Sequence, residues 1–229
     1  MKLNHINHIF FDLDHTLWDF DKNSKLAFKR IFELNNIKVD INDFTKVYEP
    51  INFEYWKLYR EEKITKKELR YGRLKKSFDS LEYEIEDKLI DILAVDYITY
   101  LTTFNHLFDD TIDILSYLKP NYKLHIITNG FEEAQTKKIK NSGLSKYFIS
   151  VTNSEQAGVK KPNPIIFNHA LKIANAQVSK SIMIGDSYEA DVLGALNINM
   201  EAIHFNYRNE KLNGKHLSVN KLSELKKYL

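Results

Sequence analysis

Ile9-Phe10-Phe11-Asp12-Leu13-Asp14-His15-Thr16-Leu17 is the stretch from which the fold of this chain is read. Three consecutive apolar, β-favouring residues run into two carboxylates spaced by two. On a strand end that spacing puts both on the same side of the backbone. Like charges so close disfavour ionisation of one of them unless a cation or a hydrogen-bond donor compensates. The pair therefore needs partners from elsewhere in the sequence.

Downstream, from about Asp19 to Asn105, strand patterns disappear and helix-period patterns follow one another. Leu26, Ala27, Phe28, Ile31, Phe32 and Leu34 define a first amphipathic helix. Phe44, Val47, Tyr48, Ile51, Tyr55 and Leu58 define a second, which Pro50 is expected to kink or split. Thr65-Lys66-Lys67-Glu68 has the form of a capping box and predicts a third helix start; Ile85, Leu89, Leu93, Tyr97 and Leu101 mark a fourth helix. Helices in one uninterrupted block can bury their stripes only on each other. The pattern predicts a helical bundle over 18–105, inserted into a core made of 1–17 and 106–229.

The second core segment alternates. A helix from Ile112 to Leu118 ends at Pro120, a strand Leu124–Thr128 follows, and Asn129-Gly130 turns into a helix with Glu132 and Glu133 in its first turn. Tyr147–Val151 reads as a strand, Asn163 as an N-cap with Pro164 opening a helix, Ser181–Gly185 as a buried strand, Ala190–Leu196 as a helix and Ala202–Phe205 as a strand. Leu217–Leu229 reads as a last strand and helix. Such alternation predicts an α/β fold, a Rossmann-like, doubly wound parallel sheet with helices on both faces.

Composition narrows the function classes. A net charge of +2 argues against a broad basic surface for a nucleic acid polymer, and the absence of cysteine excludes thiolate metal sites and disulfides. No apolar run approaches the ~18 residues of a membrane span, and no signal-peptide core is recognisable, so a cytoplasmic protein is expected. Oligomeric state is not legible.

In doubly wound sheets ligands sit outside the carboxyl ends of strands. The residues there are Asp12 and Asp14, Thr128 and Asn129, Asp186 and Asp191, with Lys161 in the loop Gly158-Val159-Lys160-Lys161-Pro162. Carboxylates gathered at one site suit a hard divalent cation such as Mg²⁺. A cation, a lysine and a helix N-terminus around an aspartate are the parts that hold and transfer a phosphoryl group.

The Asp12-Leu13-Asp14 stretch, Ile127-Thr128-Asn129-Gly130, Lys161-Pro162-Asn163-Pro164 and Ile184-Gly185-Asp186-Ser187-Tyr188-Glu189-Ala190-Asp191 together resemble, in order, the four motifs of the haloacid dehalogenase-like hydrolase superfamily. The inserted bundle resembles that superfamily's type-1 cap. The resemblance implies Asp12 as nucleophile through an aspartyl-phosphate and Asp14 as general acid and base. It implies metal binding by the side chains of Asp12 and Asp186 and the backbone carbonyl of Asp14. Thr128, Asn129 and Gly130 would bind the phosphoryl oxygens and Lys161 would neutralise them. Asp191 would orient Lys161 or the metal's water shell, and Thr16 would brace Asp14. The preference for Lys161 over Lys160 rests on the following Pro162. Asp14 favours phosphoryl over carbon–halogen chemistry, because dehalogenases lack an acid at that place. The continuation Thr16-Leu17-Trp18-Asp19-Phe20 resembles the pyrimidine 5'-nucleotidase subgroup, implying a small phosphomonoester substrate, a nucleoside monophosphate. A sugar-phosphate phosphatase or phosphomutase, and a non-catalytic regulatory protein on this fold, are the alternatives.

Several residues have plainer readings. Trp18 is expected to be hinge packing, His5 and His8 surface or packing histidines, and His15 to affect the chemistry little. Lys137, Lys138 and Lys140 are expected to form a solvated helix face. The bundle's aromatic and basic residues, among them Phe53, Tyr55, Trp56, Tyr59, Arg60, Tyr71 and Arg73, are expected to be mostly core or solvated face.

Overall fold

Strand β1 (His8–Phe11), buried along its whole length, lies at the centre of a parallel sheet in the computed structural model, which describes residues 2–211 and 216–229. The chain divides into two compact units, Met1–Phe20 with Asn105–Leu229, and Asp21–Phe104.

After β1, helices α1 (Phe20–Leu34), α2 (Ile41–Arg60), α3 (Lys66–Ser80) and α4 (Asp87–Leu101) account for the helical block. Their stripes meet in an aromatic cluster: Phe28 stacks on Tyr97 with centroids 4.4 Å apart and meets Phe44 edge-on at 4.8 Å. Arg73 is buried beneath Tyr48 and Tyr97 and donates to Asn52 Oδ1 at 2.8 Å. Tyr71 donates to Asp87 on the helix surface. The capping box forms as its sequence predicts, with Thr65 N donating to Glu68 Oε2 at 2.7 Å and Glu68 N to Thr65 Oγ1 at 3.2 Å. Pro50 does not split α2; buried Phe44, Tyr48 and Ile51 on either side of it hold one continuous helix. A missing donor at one position costs less than the packing of that face provides.

The other unit continues with α5 (Thr111–Leu118), β2 (Lys123–Thr128), α6 (Glu132–Asn141), β3 (Ser150–Asn153), the short α7 (Ser154–Ala157), α8 (Pro164–Ala174) and β4 (Ser181–Gly185). A π-helical turn (Tyr188–Leu193), α9 (Gly194–Leu196), β5 (Glu201–Phe205), β6 (Leu217–Val219) and a 3₁₀ turn (Leu222–Lys227) complete it. All strand pairs are parallel, in the order β3-β2-β1-β4-β5-β6, with Phe11 in register with Ile126 on one side and Ile184 on the other. Strand order therefore reverses between β1 and β4, which is where such sheets open a crevice for ligands. Phe10, Ile127 and Met183 pack against Ile166 and Phe167 of α8 and Val192, closing one face.

Three elements differ from expectation. β3 starts at Ser150 rather than Tyr147, because Tyr147 is held by its hydroxyl at Ser116 and Phe148 meets Phe11 edge-on. Aromatic residues favour strands through packing, and here they pack without pairing. The Ala190 helix starts earlier and wider, as the π turn, and the closing helix is 3₁₀. Among the described residues, no helix is long and apolar enough to cross a membrane.

The histidines of the sheet interior make a pH-sensitive joint. His125 is fully buried, with Nε2 3.0 Å from His8 Nδ1, Nδ1 2.8 Å from Ser150 Oγ, and Phe10 stacked on its ring. Burial, then His8 and Lys123, push the His125 pKa down to about 4. Between pH 6.5 and 4 the unfolded chain binds a proton there that the folded chain refuses, so stability falls as pH falls across that window. The expected loss is about 2 kcal/mol after an allowance for solvent screening. Urea titrations at pH 7 and 4.5 on wild type and His125→Gln check it: the wild type should lose more stability on acidification than the variant, and equal losses contradict the assignment.

Candidate active site

Three strand ends, a loop and a π-helical turn deliver the site. β1 and β4 are neighbours, so Asp12 and Asp186, each following its strand, lie on either side of the order reversal, and Asp12 N donates to Ile184 O at 2.9 Å. Lys161 arrives from the loop before α8 and is almost fully buried. Its ammonium donates to Asp12 Oδ1 at 2.5 Å, Asp191 Oδ1 at 2.6 Å and Ile127 O at 2.7 Å, which uses all three N–H groups. Asn129 clamps the lysine's backbone: its Oδ1 accepts from Lys161 N at 2.7 Å and its Nδ2 donates to Lys161 O at 3.0 Å. Thr128 Oγ1 accepts from Gly130 N at 3.1 Å.

Asp191 reaches the site from the π turn, where Oδ2 accepts from Ser187 N at 3.0 Å. This placement depends on Gly185, since a Cβ there would stand 2.2 Å from Asp191 Oδ2. Asp191 contacts Lys161, and carboxylate oxygens of Asp12, Asp186 and Asp191 lie within 4.8 Å of one another.

The electrostatics follow from two buried carboxylates, Asp12 and Asp191, and the half-buried Asp186 gathered around one ammonium. Burial pushes Asp12 up to about 7, with Asp191 and Asp14 adding to the rise and Lys161 opposing it. Asp186 is raised well above the carboxylate range by burial and by Asp12 and Asp191. Burial pulls the Lys161 ammonium down, but Asp12 and Asp191 outweigh it and leave its pKa raised. One cation cannot satisfy this set, and oxygen donors at this spacing suit a hard divalent ion.

Two sequence expectations are corrected. Thr16 does not brace Asp14; its hydroxyl donates to Asp186 Oδ1 at 3.3 Å and accepts from Asp186 N at 3.1 Å, because the turn after β1 faces the end of β4. Lys138 is not part of a solvated face. Lys137 and Lys140 are exposed, but Lys138 is 2% exposed, and its Nζ donates to Asp14 Oδ1 at 2.6 Å. The same nitrogen lies 4.3 Å from the centroid of the buried Trp18 ring, so Trp18 is packing. Gln135, also missed, donates through Nε2 to Asp14 Oδ2 at 2.7 Å and Thr128 Oγ1 at 3.0 Å. A signal was present: Ala134, Gln135, Lys138 and Ile139 form the buried stripe of α6, with two polar residues on it. Asp14 thus has an ammonium and an amide as near neighbours.

His5, His8, His15 and His204 each have a partner within the fold. His15 takes a left-handed φ of 63° in the turn after the nucleophile candidate and pairs through Nδ1 with Tyr207 hydroxyl at 2.9 Å. His5 pairs with Glu201 and His8 with His125. His204 Nε2 donates to the Asp186 carbonyl at 2.8 Å, a support invisible in the sequence.

A model of the haloacid dehalogenase-like hydrolase family matches residues 6–199. The pyrimidine 5'-nucleotidase YjjG of Escherichia coli is 33% identical over 202 residues, 86% of this chain and 85% of that protein. A glyceraldehyde 3-phosphate phosphatase of Methanothermobacter thermautotrophicus is 31% identical over 224 residues, 93% of this chain and 92% of the other. The crystal structure of the HAD-hydrolase YfnB of Bacillus subtilis, bound to magnesium, superposes with a TM-score of 0.86 at 30% identity, covering 96% of each chain.

Proposed function

This chain belongs to the haloacid dehalogenase-like hydrolase family, and on that premise we propose that it is a cytoplasmic, Mg²⁺-dependent phosphomonoesterase acting on pyrimidine nucleoside 5'-monophosphates. The observation that carries the chemistry is Asp12 held at 2.5 Å by the buried Lys161 within a cluster of three carboxylates. Asp12 attacks phosphorus; the bond to the leaving oxygen breaks with its electron pair, and that oxygen takes a proton from Asp14. The product is an aspartyl-phosphate. Water then attacks phosphorus and gives a proton to Asp14, the acyl-phosphate bond breaks, and the Asp12 carboxylate and inorganic phosphate are restored. Thr128 and the backbone at Asn129 and Gly130 bind the phosphoryl oxygens, and Lys161 balances their charge. Asp12, Asp186 and the backbone carbonyl of Asp14 would hold Mg²⁺, which supplies further neutralisation of phosphoryl charge when bound. Asp191 orients Lys161. The helical unit, 18–105 by its sequence boundaries, corresponds to the type-1 cap of the family.

The substrate class rests on the nucleotidase relative and on the Thr16–Phe20 continuation. A triose-phosphate phosphatase is the second reading, favoured by the Methanothermobacter thermautotrophicus relative that matches over most of its length. Phosphate release from uridine and cytidine 5'-monophosphates, glyceraldehyde 3-phosphate and glucose 6-phosphate decides between them. The nucleotides should exceed the others at least tenfold in kcat/KM. A preference for glyceraldehyde 3-phosphate selects the second reading, and no release from any ester overturns the phosphatase assignment.

Chelation tests the cation. Dialysis against EDTA should lower turnover about 100-fold or more, and added Mg²⁺ should restore it, since several kcal/mol of charge stabilisation are removed. Unchanged turnover after chelation would exclude the metal from the reaction.

A further inference from the structure

We propose that Gln135 and Lys138 are positioning residues for the proton transfers of Asp14, an inference that rests on the acid–base role assigned above. The two side chains stand three residues apart on α6 and therefore on one face of it. Each takes one oxygen of Asp14: Gln135 Nε2 donates to Oδ2 at 2.7 Å and Lys138 Nζ to Oδ1 at 2.6 Å. Two donors on two oxygens fix both the position and the plane of the carboxyl group. Each oxygen keeps a second lone pair, which leaves a place for the proton that is delivered and later recovered.

The bracket is itself held in place. Gln135 Nε2 also donates to Thr128 Oγ1 at 3.0 Å, so both amide hydrogens meet acceptors; the reversed amide would set its oxygen against a carboxylate. Its Oε1 is buried without a hydrogen-bond partner, a cost that a merely structural glutamine has no reason to carry. Gly130 makes the room: a Cβ there would stand 1.7 Å from Gln135 Nε2. Lys138 lies with its ammonium 4.3 Å from the Trp18 ring centroid and 5.4 Å from that of Phe20. A leucine at 138 would pack against those rings without the desolvation cost of an ammonium, and buried ion pairs add little stability over apolar packing. Charge at this place is better explained by what it does to Asp14 than by what it does for the fold.

A misplaced acid harms departure of a basic leaving group more than departure of one that leaves unprotonated. Phenyl phosphate and p-nitrophenyl phosphate differ only in this respect at the reacting centre. With Mg²⁺ and enzyme in excess over substrate, release of the phenol in one turnover reads the first step alone. Lys138→Met and Gln135→Leu should each slow phenol release from phenyl phosphate at least fivefold more than p-nitrophenol release, with half-saturating concentrations within twofold of wild type. Lys138→Arg, which keeps the charge, should recover most of the loss. A differential below fivefold in both variants overturns the inference. Circular dichroism and melting curves establish that each variant is folded, and if one is not, the other carries the test. Asp14→Asn separates the two levels. If it shows the leaving-group differential and the positioning variants do not, the inference alone fails; if it too shows none, the acid–base role of Asp14 fails with it.

Discussion

Asp12→Asn is expected to lower turnover of p-nitrophenyl phosphate by ~10⁴-fold or more, because an amide cannot form the acyl-phosphate and nothing else at the strand end replaces it. Acid-quenched protein incubated with radiolabelled substrate should carry label in wild type and none in the variant. Equal turnover in the two proteins would end the proposed mechanism. Stability should move the other way. Asp12 has a folded-state pKa of about 7, raised chiefly by burial, against an ordinary value of 3.8. A raised carboxylate binds more protons folded than unfolded between those values, so it costs stability as pH rises through that range. In metal-free buffer the variant should therefore gain stability relative to wild type from pH 4 to pH 7. Under the proposed mechanism, a nucleophile placed where its ionised form is disfavoured is a cost the fold accepts for reactivity.

Lys161→Met is expected to damage both activity and fold. Lys161 is the cation on which two buried carboxylates and a strand-end carbonyl converge, and Asp191, 1% exposed, depends on it. Removing one partner of a buried pair leaves the other charge uncompensated, at about 3–5 kcal/mol. The pKa of Lys161 is raised on folding, so its contribution is fully present below the ordinary lysine value of 10.5 and is lost only as pH rises through the higher folded value. The deficit should therefore appear undiminished at pH 7 in urea titrations. Turnover should fall about 100- to 1000-fold, the size associated with losing a preorganised charge at a developing oxyanion. A variant within 1 kcal/mol of wild-type stability would contradict the ion-pair assignment. The double variant Lys161→Met with Asp191→Asn should recover part of the stability and none of the activity, since only the first loss comes from an unpaired charge.

Much of the sheet-containing unit is legible because its signals are local. Asp12 follows an apolar run, Asn163 precedes Pro164, and Gly185 ends a buried strand, so each can be placed from its neighbours alone. Lys161 was separable from Lys160 by the Pro162 after it, and the geometry places Lys161 on Asp12. The misreadings are equally specific. Lys138 lies between Lys137 and Lys140, both exposed, and helical charge runs are usually solvated; what distinguishes it is Asp14, 124 residues earlier. The resemblance implies Thr16 beside Asp14, but β4 pairs beside β1 and brings Asp186 within reach of its hydroxyl. Pro50 carries a local cost that the packing of Phe44, Tyr48 and Ile51 outweighs.

By itself the amino-acid sequence determined the alternation of strands and helices, the helical block after the first strand, and the identity of the carboxylates, the lysine and the threonine at the strand ends. These depend on periodicity, capping and turn chemistry, which act over a few residues. Tertiary structure alone decided which of those groups touch. It joined Lys161 to both Asp12 and Asp191, gave Thr16 to Asp186, and set Gln135 and Lys138 on the two oxygens of Asp14. Those contacts follow from the parallel order β2-β1-β4 and from the face that α6 turns inward, and partners more than a hundred residues apart meet only when the sheet has formed.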